Sequence, residues 1–525
     1  MRWDEPGQTR DQLVLFATKL DDVLPGDHVV RLLDEILGRL DWHDWEATYH
    51  GRAGRPPIHP RVLASVLLYG LLNRIRSSRE LEDALQVRMD FRWLVSGRSI
   101  DHTTISEFRR RHPEPLKGLF IRVVLVARDL GLVHFARLGF DGTRVRANNR
   151  PTGTRTPDQL RAEREKLAAF FQEQQRLADE EDTREDALFG DVSTHRLPAD
   201  CRDAAERLKR LDATLETLRR VKEEQGGKLP KRVPSIDLDA RVMPNKQGGG
   251  FAPNYTPTAT VDIESGLIVG AEVLGVINED AHLIPSVDAI RRDFDLESPP
   301  VVLADGLIGT AANLAGCAER GINLYSPCAA PIDPATNPAI RDDPTTPVAE
   351  TDRDRLPTEW IGSKPDRVER LSREAFVYDA VGDRYFCPMG KELPHSTTTR
   401  EASRSGGRVR SRYKASRSDC EACPLRSRCL TQAEDRPREI SRESNASHVE
   451  EHMRKMAQPE SQEIYQSRRH PGERPFGVIK HHFGVRQFLL RGLGGVSQEW
   501  RWAATAFNLQ RLFGLLRNRA GPKPS

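Results

Sequence analysis

The run Val301-Val302-Leu303-Ala304-Asp305 constrains the fold of this chain more than any other stretch. Four consecutive apolar residues without alternation leave neither face of a strand for water, so the run belongs in a central strand covered on both faces. Open α/β sheets of that kind place ligands beyond the carboxyl ends of their strands, which is where Asp305 falls. A second strand is read from Ala136, Leu138 and Phe140, which alternate with residues pointing the other way and set Asp141 on the face opposite Phe140. In isolation, Asp141-Gly142 and Asp305-Gly306 read better as turn dipeptides.

A third acid changes that balance. Glu473 stands alone among Arg468, Arg469, His470, Arg474, Lys480 and His481. A cationic strip suits a polyanion, and a carboxylate facing a polyanion is repelled unless a metal ion lies between them. Hard divalent ions such as Mg²⁺ or Mn²⁺ take oxygen ligands and keep several waters, so a few carboxylates plus a substrate phosphate complete a site. Two such ions serve in-line displacement at phosphorus. Pro471 and Pro475 bracket Glu473 and predict a helix that continues from Phe476, with Glu473 near its N-terminus.

The net charge of +3 is too small for an argument from basicity of the whole chain, so nucleic-acid binding has to rest on local clusters. One is Arg109-Arg110-Arg111-His112. The other runs from Arg400 to Arg417 and carries Arg404, Arg408, Arg410, Arg412 and Lys414 against the single acid Glu401; its serines and glycines predict a flexible segment that touches phosphates without reading bases. No signal-peptide pattern and no bilayer-length apolar run is present, which predicts a cytoplasmic protein that does not enter membranes. Of seven cysteines, Cys387, Cys420, Cys423 and Cys429 have the count for a structural Zn²⁺ site. The gap of five residues before Cys429 is not a standard finger spacing.

Residues 11 to about 130 read as helices, with Leu32, Leu33, Ile36, Leu37 and Leu40 at helical spacing and a buried helix opened by His59-Pro60. Thr103 or Thr104 is the expected N-cap of the helix after Asp101, with Glu107 reaching back. Asp158 to Asp182 and Asp203 to Gln225 predict a charged helical hairpin with a seam through Leu208, Leu211, Leu215 and Leu218. A β-hairpin over Pro257 to Val273, a helix over Ala281 to Phe294 and a closing helix over Trp500 to Leu516 follow.

These motifs, in this order, resemble the bacterial insertion-sequence transposases of the DDE type. Gly54-Arg-Pro-Pro-Ile-His-Pro60, Leu67-Leu-Tyr-Gly70, Ser77 to Glu82 and Asp101 to Arg109 are similar to that family's N-terminal helices; Phe140-Asp-Gly-Thr143 and Ala304-Asp-Gly306 to its first two catalytic strands; Glu473-Arg-Pro-Phe-Gly477, Phe488 to Gly492 and Glu499-Trp500 to its tail. The resemblance implies an α/β, ribonuclease-H-like mixed sheet with helices on both faces, preceded by an all-helical domain. It divides the chain into a helical domain for end binding or dimerisation (1–130), a catalytic domain (131–150, 232–330 and 460–517), a helical-hairpin insertion (151–231), a basic, cysteine-containing insertion (331–459) and a frayed tail (518–525). It assigns Asp141, Asp305 and Glu473 as the metal-binding triad, and Tyr465, Arg469 and Lys480 to the family's conserved pattern around the glutamate, the basic pair holding DNA. Leu307 stands where the family commonly has an aromatic residue. The implied function is cleavage at terminal inverted repeats and strand transfer to target DNA, with double-stranded DNA as partner and at least a dimer acting. Two alternatives stand beside it: a non-catalytic DNA-binding remnant, and a ribonuclease-H-like nuclease without strand transfer.

Overall fold

Strand Arg137–Gly142 lies at the middle of a seven-stranded mixed sheet. On one side it runs antiparallel to the long strand Phe251–Asp262, which pairs antiparallel with Ile268–Leu274. On the other side it runs parallel to Val301–Leu303, which pairs parallel with Asn323–Tyr325. The computed structural model describes residues 19–49, 56–149, 154–189, 199–224, 230–234, 236–245, 250–330, 333, 336–362, 367–401, 408–430 and 436–519. The beginning of the chain, Gly54, Arg404 and residues 520–525 of the expected tail lie outside them.

The N-terminal region is helical: Val29–Arg39, His43–Ala47, Pro60–Leu72, Ser78–Val87, Met89–Leu94, His102–Arg111 and Pro113–Asp129. His59 caps Pro60–Leu72, its Nδ1 accepting from the Arg61 amide at 3.1 Å. Helix His102–Arg111 is capped by Asp101 rather than by either threonine. Asp101 accepts from the Thr104 amide at 2.9 Å and from both threonine hydroxyls, because a carboxylate answers the positive helix end better than a hydroxyl does. Glu107 turns forward to Arg111 at 3.0 Å instead of reaching back.

The closing helix, Gly492–Arg519, is longer than its apolar pattern suggests. Trp500, Trp502, Phe507, Leu509, Leu512 and Phe513 are buried in one cluster that takes in both the N-terminal helices and the sheet. The helical region and the sheet thus share one core, with the closing helix between them. Arg519, expected to fray, donates to the carbonyls of Leu130 and Gly131. The basic cluster at the end of His102–Arg111 is partly consumed by this packing. Arg109 donates to Arg76 O at 2.7 Å, and His112 is buried against Trp45, Tyr49 and Phe108, leaving Arg110 and Arg111 exposed.

The charged hairpin forms as expected from Pro157–Phe189 and Ala199–Glu224. Its seam is Leu160, Leu211 and Leu218, backed by Leu167 and Leu215, and Arg164–Asp212 and Arg207–Glu163 bridge the two helices. The second insertion is more ordered than its composition implies. It holds an antiparallel sheet of Val377–Asp379, Arg384–Phe386, Glu392–Glu401, Arg408–Lys414 and Glu439–Glu443. Arg408–Lys414, expected to be flexible, is an interior strand of that sheet. Alternation of Val409, Ser411 and Tyr413 with basic residues is a strand period, and Arg410 and Arg412 find Glu443 and Glu439 on the neighbouring strand at 3.7 and 3.2 Å. Among the described residues no helix is long and apolar enough to cross a membrane.

One ion pair fastens the N-terminal helices to the tail. Arg76 meets Glu499 at 2.6 Å with side chains only 16% and 8% exposed, and also donates to the carbonyls of Gly484 and Gln487. Glu499 accepts in turn from the amides of Leu489 and Leu490. Breaking such a pair from one side leaves a buried charge uncompensated, so Arg76→Ala is expected to lower the unfolding free energy by about 3–5 kcal/mol. Chemical denaturation checks this; a loss below about 1 kcal/mol, the range of an exposed pair, would be inconsistent with it.

Candidate metal centre

Strand register brings two acids together. In the parallel pair, Gly139 is level with Leu303, so Asp141, two residues further on, comes level with Asp305 beyond the neighbouring strand's end. Strand Ile268–Leu274 runs in the same direction as Arg137–Gly142, because each is antiparallel to Phe251–Asp262. The chain leaving its carboxyl end therefore emerges at the same edge of the sheet and carries Glu279. The carboxylates of Asp141, Glu279 and Asp305 offer oxygens that all lie within 4.8 Å of one another. They are half-buried, and among the described residues they form the one group of three or more acids, histidines or cysteines so close together.

Each carboxylate is held in place. Asp141 accepts from the Gly142 amide at 2.8 Å and pairs with Arg468 at 3.1 Å. Asp305 accepts from the Leu307 amide at 2.9 Å, while its own carbonyl takes the Ser326 hydroxyl at 2.7 Å. Ser326 is anchored in turn by buried His452, whose Nε2 donates to its carbonyl at 2.8 Å; burial pushes that imidazole below its ordinary value. Glu279 lies over Gly142, where a Cβ would come within 2.9 Å of the glutamate carboxyl. A side chain at Gly142 would push that carboxylate aside; Gly142 sits in the strand, level with Thr258, and not in a turn.

The acids open into a cleft of about 330 Å³ lined by Thr143, Arg144, Thr256, Asn278, Asp280 and Thr310, with Leu307, 80% exposed, at its edge. Lys480 donates to Thr143 Oγ1 at 2.5 Å, just beyond the strand that carries Asp141. Arg468, not Arg469, carries the guanidinium against Asp141; its stem packs over Gly472 and its Nη1 lies 3.4 Å from the Tyr465 hydroxyl. Arg469 is exposed. Glu473 is exposed too and is not part of the close group. Its helix, Arg469–Gly477, begins before Pro471, whose missing N–H costs nothing in a first turn, so Glu473 lies mid-helix and not near the start of a helix running from Phe476. After Pro475 the helix loosens into a π turn, Val478–His482, that carries Lys480.

Other core acids have structural duties. Asp262 is fully buried and accepts from the Phe135 amide and from the amide and hydroxyl of Ser265, which fixes the hairpin turn; burial pushes its carboxyl up. Asp237 accepts from Tyr255 at 2.6 Å and from the Gly492 amide at 3.1 Å, at the start of the closing helix.

A family model described as "Transposase DDE domain" matches residues 386–513, and one described as "Transposase domain (DUF772)" matches residues 18–111. A search of curated proteins returned no match. The two matched segments contain Glu473, Lys480 and the four clustered cysteines, whereas Asp141, Glu279 and Asp305 lie between them. Three converging carboxylates are a hard-oxygen donor set and fit a divalent cation of the Mg²⁺ or Mn²⁺ kind.

If Glu279 is a metal ligand, Glu279→Gln should weaken Mn²⁺ binding at least about tenfold, as should Gly142→Ala, whose Cβ displaces the carboxylate. Titration followed by electron paramagnetic resonance reads both; unchanged affinity in the pair would remove Glu279 from the site.

Proposed function

We propose that this chain, which belongs to the insertion-sequence transposases of the DDE type, cuts DNA at the terminal inverted repeats of its element and joins the freed ends to target DNA in a metal-dependent reaction. The observation that carries the proposal is the meeting of Asp141, Glu279 and Asp305 at one edge of the sheet. The order strand, hairpin, helix, strand around that edge supports a ribonuclease-H-like reading of the fold.

In this reading Asp141, Asp305 and Glu279 hold the divalent ions, and Glu473 completes the set when DNA is present. Bound ions would activate the attacking oxygen and stabilise the leaving one. Arg468 holds the Asp141 carboxylate in place, and Tyr465 stands behind Arg468. Lys480, Arg469 and the exposed arginines of Arg469–Gly477 hold phosphates along the cleft, while Arg408, Arg410 and Arg412 extend contact with the backbone. In the first step water attacks a phosphodiester and the bond to the 3′ oxygen breaks, leaving a 3′-hydroxyl. In the second that hydroxyl attacks a target phosphodiester, transfers its proton to solvent and releases a target 3′-hydroxyl. Both steps develop charge in the same way, so one site serves both. Two ends must be held at once, which calls for a dimer or larger assembly on DNA.

Asp141→Asn and Glu473→Gln should each keep binding to the element's ends and lose metal-dependent nicking by roughly 10²-fold or more. Glu473→Gln should leave Mn²⁺ affinity without DNA unchanged, since its carboxylate stands apart from the group of three. Nicking and strand-joining assays on a labelled end read the outcome; persistent cleavage by either variant would defeat the assignment.

A further inference from the structure

Four cysteines converge on the core of the second insertion, away from the carboxylates. Cys387, Cys420, Cys423 and Cys429 all pack, partly buried, against a cluster that includes Leu371, Tyr385, Leu393 and Leu425. They lie within one another's electrostatic reach. Cys420, Cys423 and Cys387 all act on the Cys429 sulfur across this cluster. Cys387 is within reach of Cys423 and Cys420 in the same way.

Hydrogen-bond donors stand close to the four cysteines. The turn after Cys387 closes through Gly390 N to Cys387 O at 2.9 Å and aims the Lys391 amide at Cys387 Sγ, 3.4 Å away. Gly390 has φ +73, and a Cβ there would fall 1.9 Å from Thr345 O, so that turn admits no other residue. An amide aimed at sulfur gains little from a thiol and considerably more from a thiolate. Guanidinium groups surround the four: Arg341 donates to Cys387 O at 3.1 Å and Arg438 to Cys429 O at 3.1 Å. Arg353, whose charge is felt by Cys423, has a buried Nε–H with no hydrogen-bond partner.

The spacing of the sulfurs bears on what they hold. No three of these sulfurs lie within 4.8 Å of one another, a distance that only the carboxylate group satisfies among the described residues. A single zinc ion bound at ~2.3 Å by four thiolates in a tetrahedron needs every pair of sulfurs at about 3.8 Å. A cubane cluster attaches one thiolate to each of four corner irons and spreads its ligands more widely. We infer that Cys387, Cys420, Cys423 and Cys429 are the terminal ligands of a [4Fe–4S] cluster that staples the second insertion together. Four thiols lose their protons to solvent on binding, and Arg341, Arg353 and Arg438 offset the negative charge that results. The cluster also stands where the count of cysteines alone suggests zinc.

The test is the metal content of the full chain purified without oxygen. Roughly four irons and four acid-labile sulfides per chain are expected, with visible absorption that bleaches on reduction. Cys420→Ser and Cys423→Ser should lose iron and colour, whereas Cys317→Ser, in a different core cluster, should keep both. Removing the iron with a chelator should open residues 386–443 to protease. One zinc and no sulfide per chain, or a folded chain free of metal, would overturn the inference, and so would a protease pattern indifferent to iron loss. The unmodified protein's own iron and sulfide decide the matter even where a serine variant fails to fold.

Discussion

Hydrogen bonding between Arg137–Gly142 and Val301–Leu303 is the interaction on which the rest of the candidate site depends. A parallel ladder fixes direction and level together, so both strands end at one edge and Asp141 is brought beside Asp305 across a long stretch of sequence. A slip of one residue would turn Asp141 to the face now held by Phe140, whose ring is buried against Leu283, Val287 and Val302. The apolar face of the strand therefore sets the position of the polar one. The third carboxylate depends on the same geometry, because Ile268–Leu274 shares the direction of the central strand and delivers Glu279 to the same edge.

What could be read from the sequence follows the length scale of each signal. Asp141 and Asp305 were legible because each sits in or just beyond a strand whose side-chain period is local. The hairpin insertion and most N-terminal helices were legible for the same reason. Glu279 was not: it lies in an irregular turn before the helix Leu283–Asp293, and only strand directions across the sheet bring it to the others. Gly142 was the available hint, a glycine inside a strand, which signals a close approach by something else. Arg408–Lys414 was misread through composition, since serines, glycines and arginines look mobile while their strict alternation does not. Pro471 and Pro475 look like helix breakers around Glu473, but the first falls in a first turn and the second precedes a π turn.

The acids' supports reach well beyond the sheet edge. Asp305 is tied through Ser326 to His452, on the helix Ala446–Met456 near the end of the second insertion, and Asp141 is tied through Arg468 to Tyr465. The insertion and the tail thereby bear on the carboxylates from behind, while the cleft stays open on the side facing Leu307 and Thr310.

The closing helix is shared by the core of the N-terminal helices and the core of the sheet, yet it follows both in chain order. As the polypeptide leaves the ribosome, the early helices must wait for several hundred further residues, on the order of half a minute of synthesis, before Trp500 and Trp502 arrive to cover their apolar faces. Neither part can finish burying its interior before this helix is synthesised. A copy of the gene interrupted before this helix would yield a chain with two open cores, which ties the activity of the protein to the integrity of its coding sequence through folding alone.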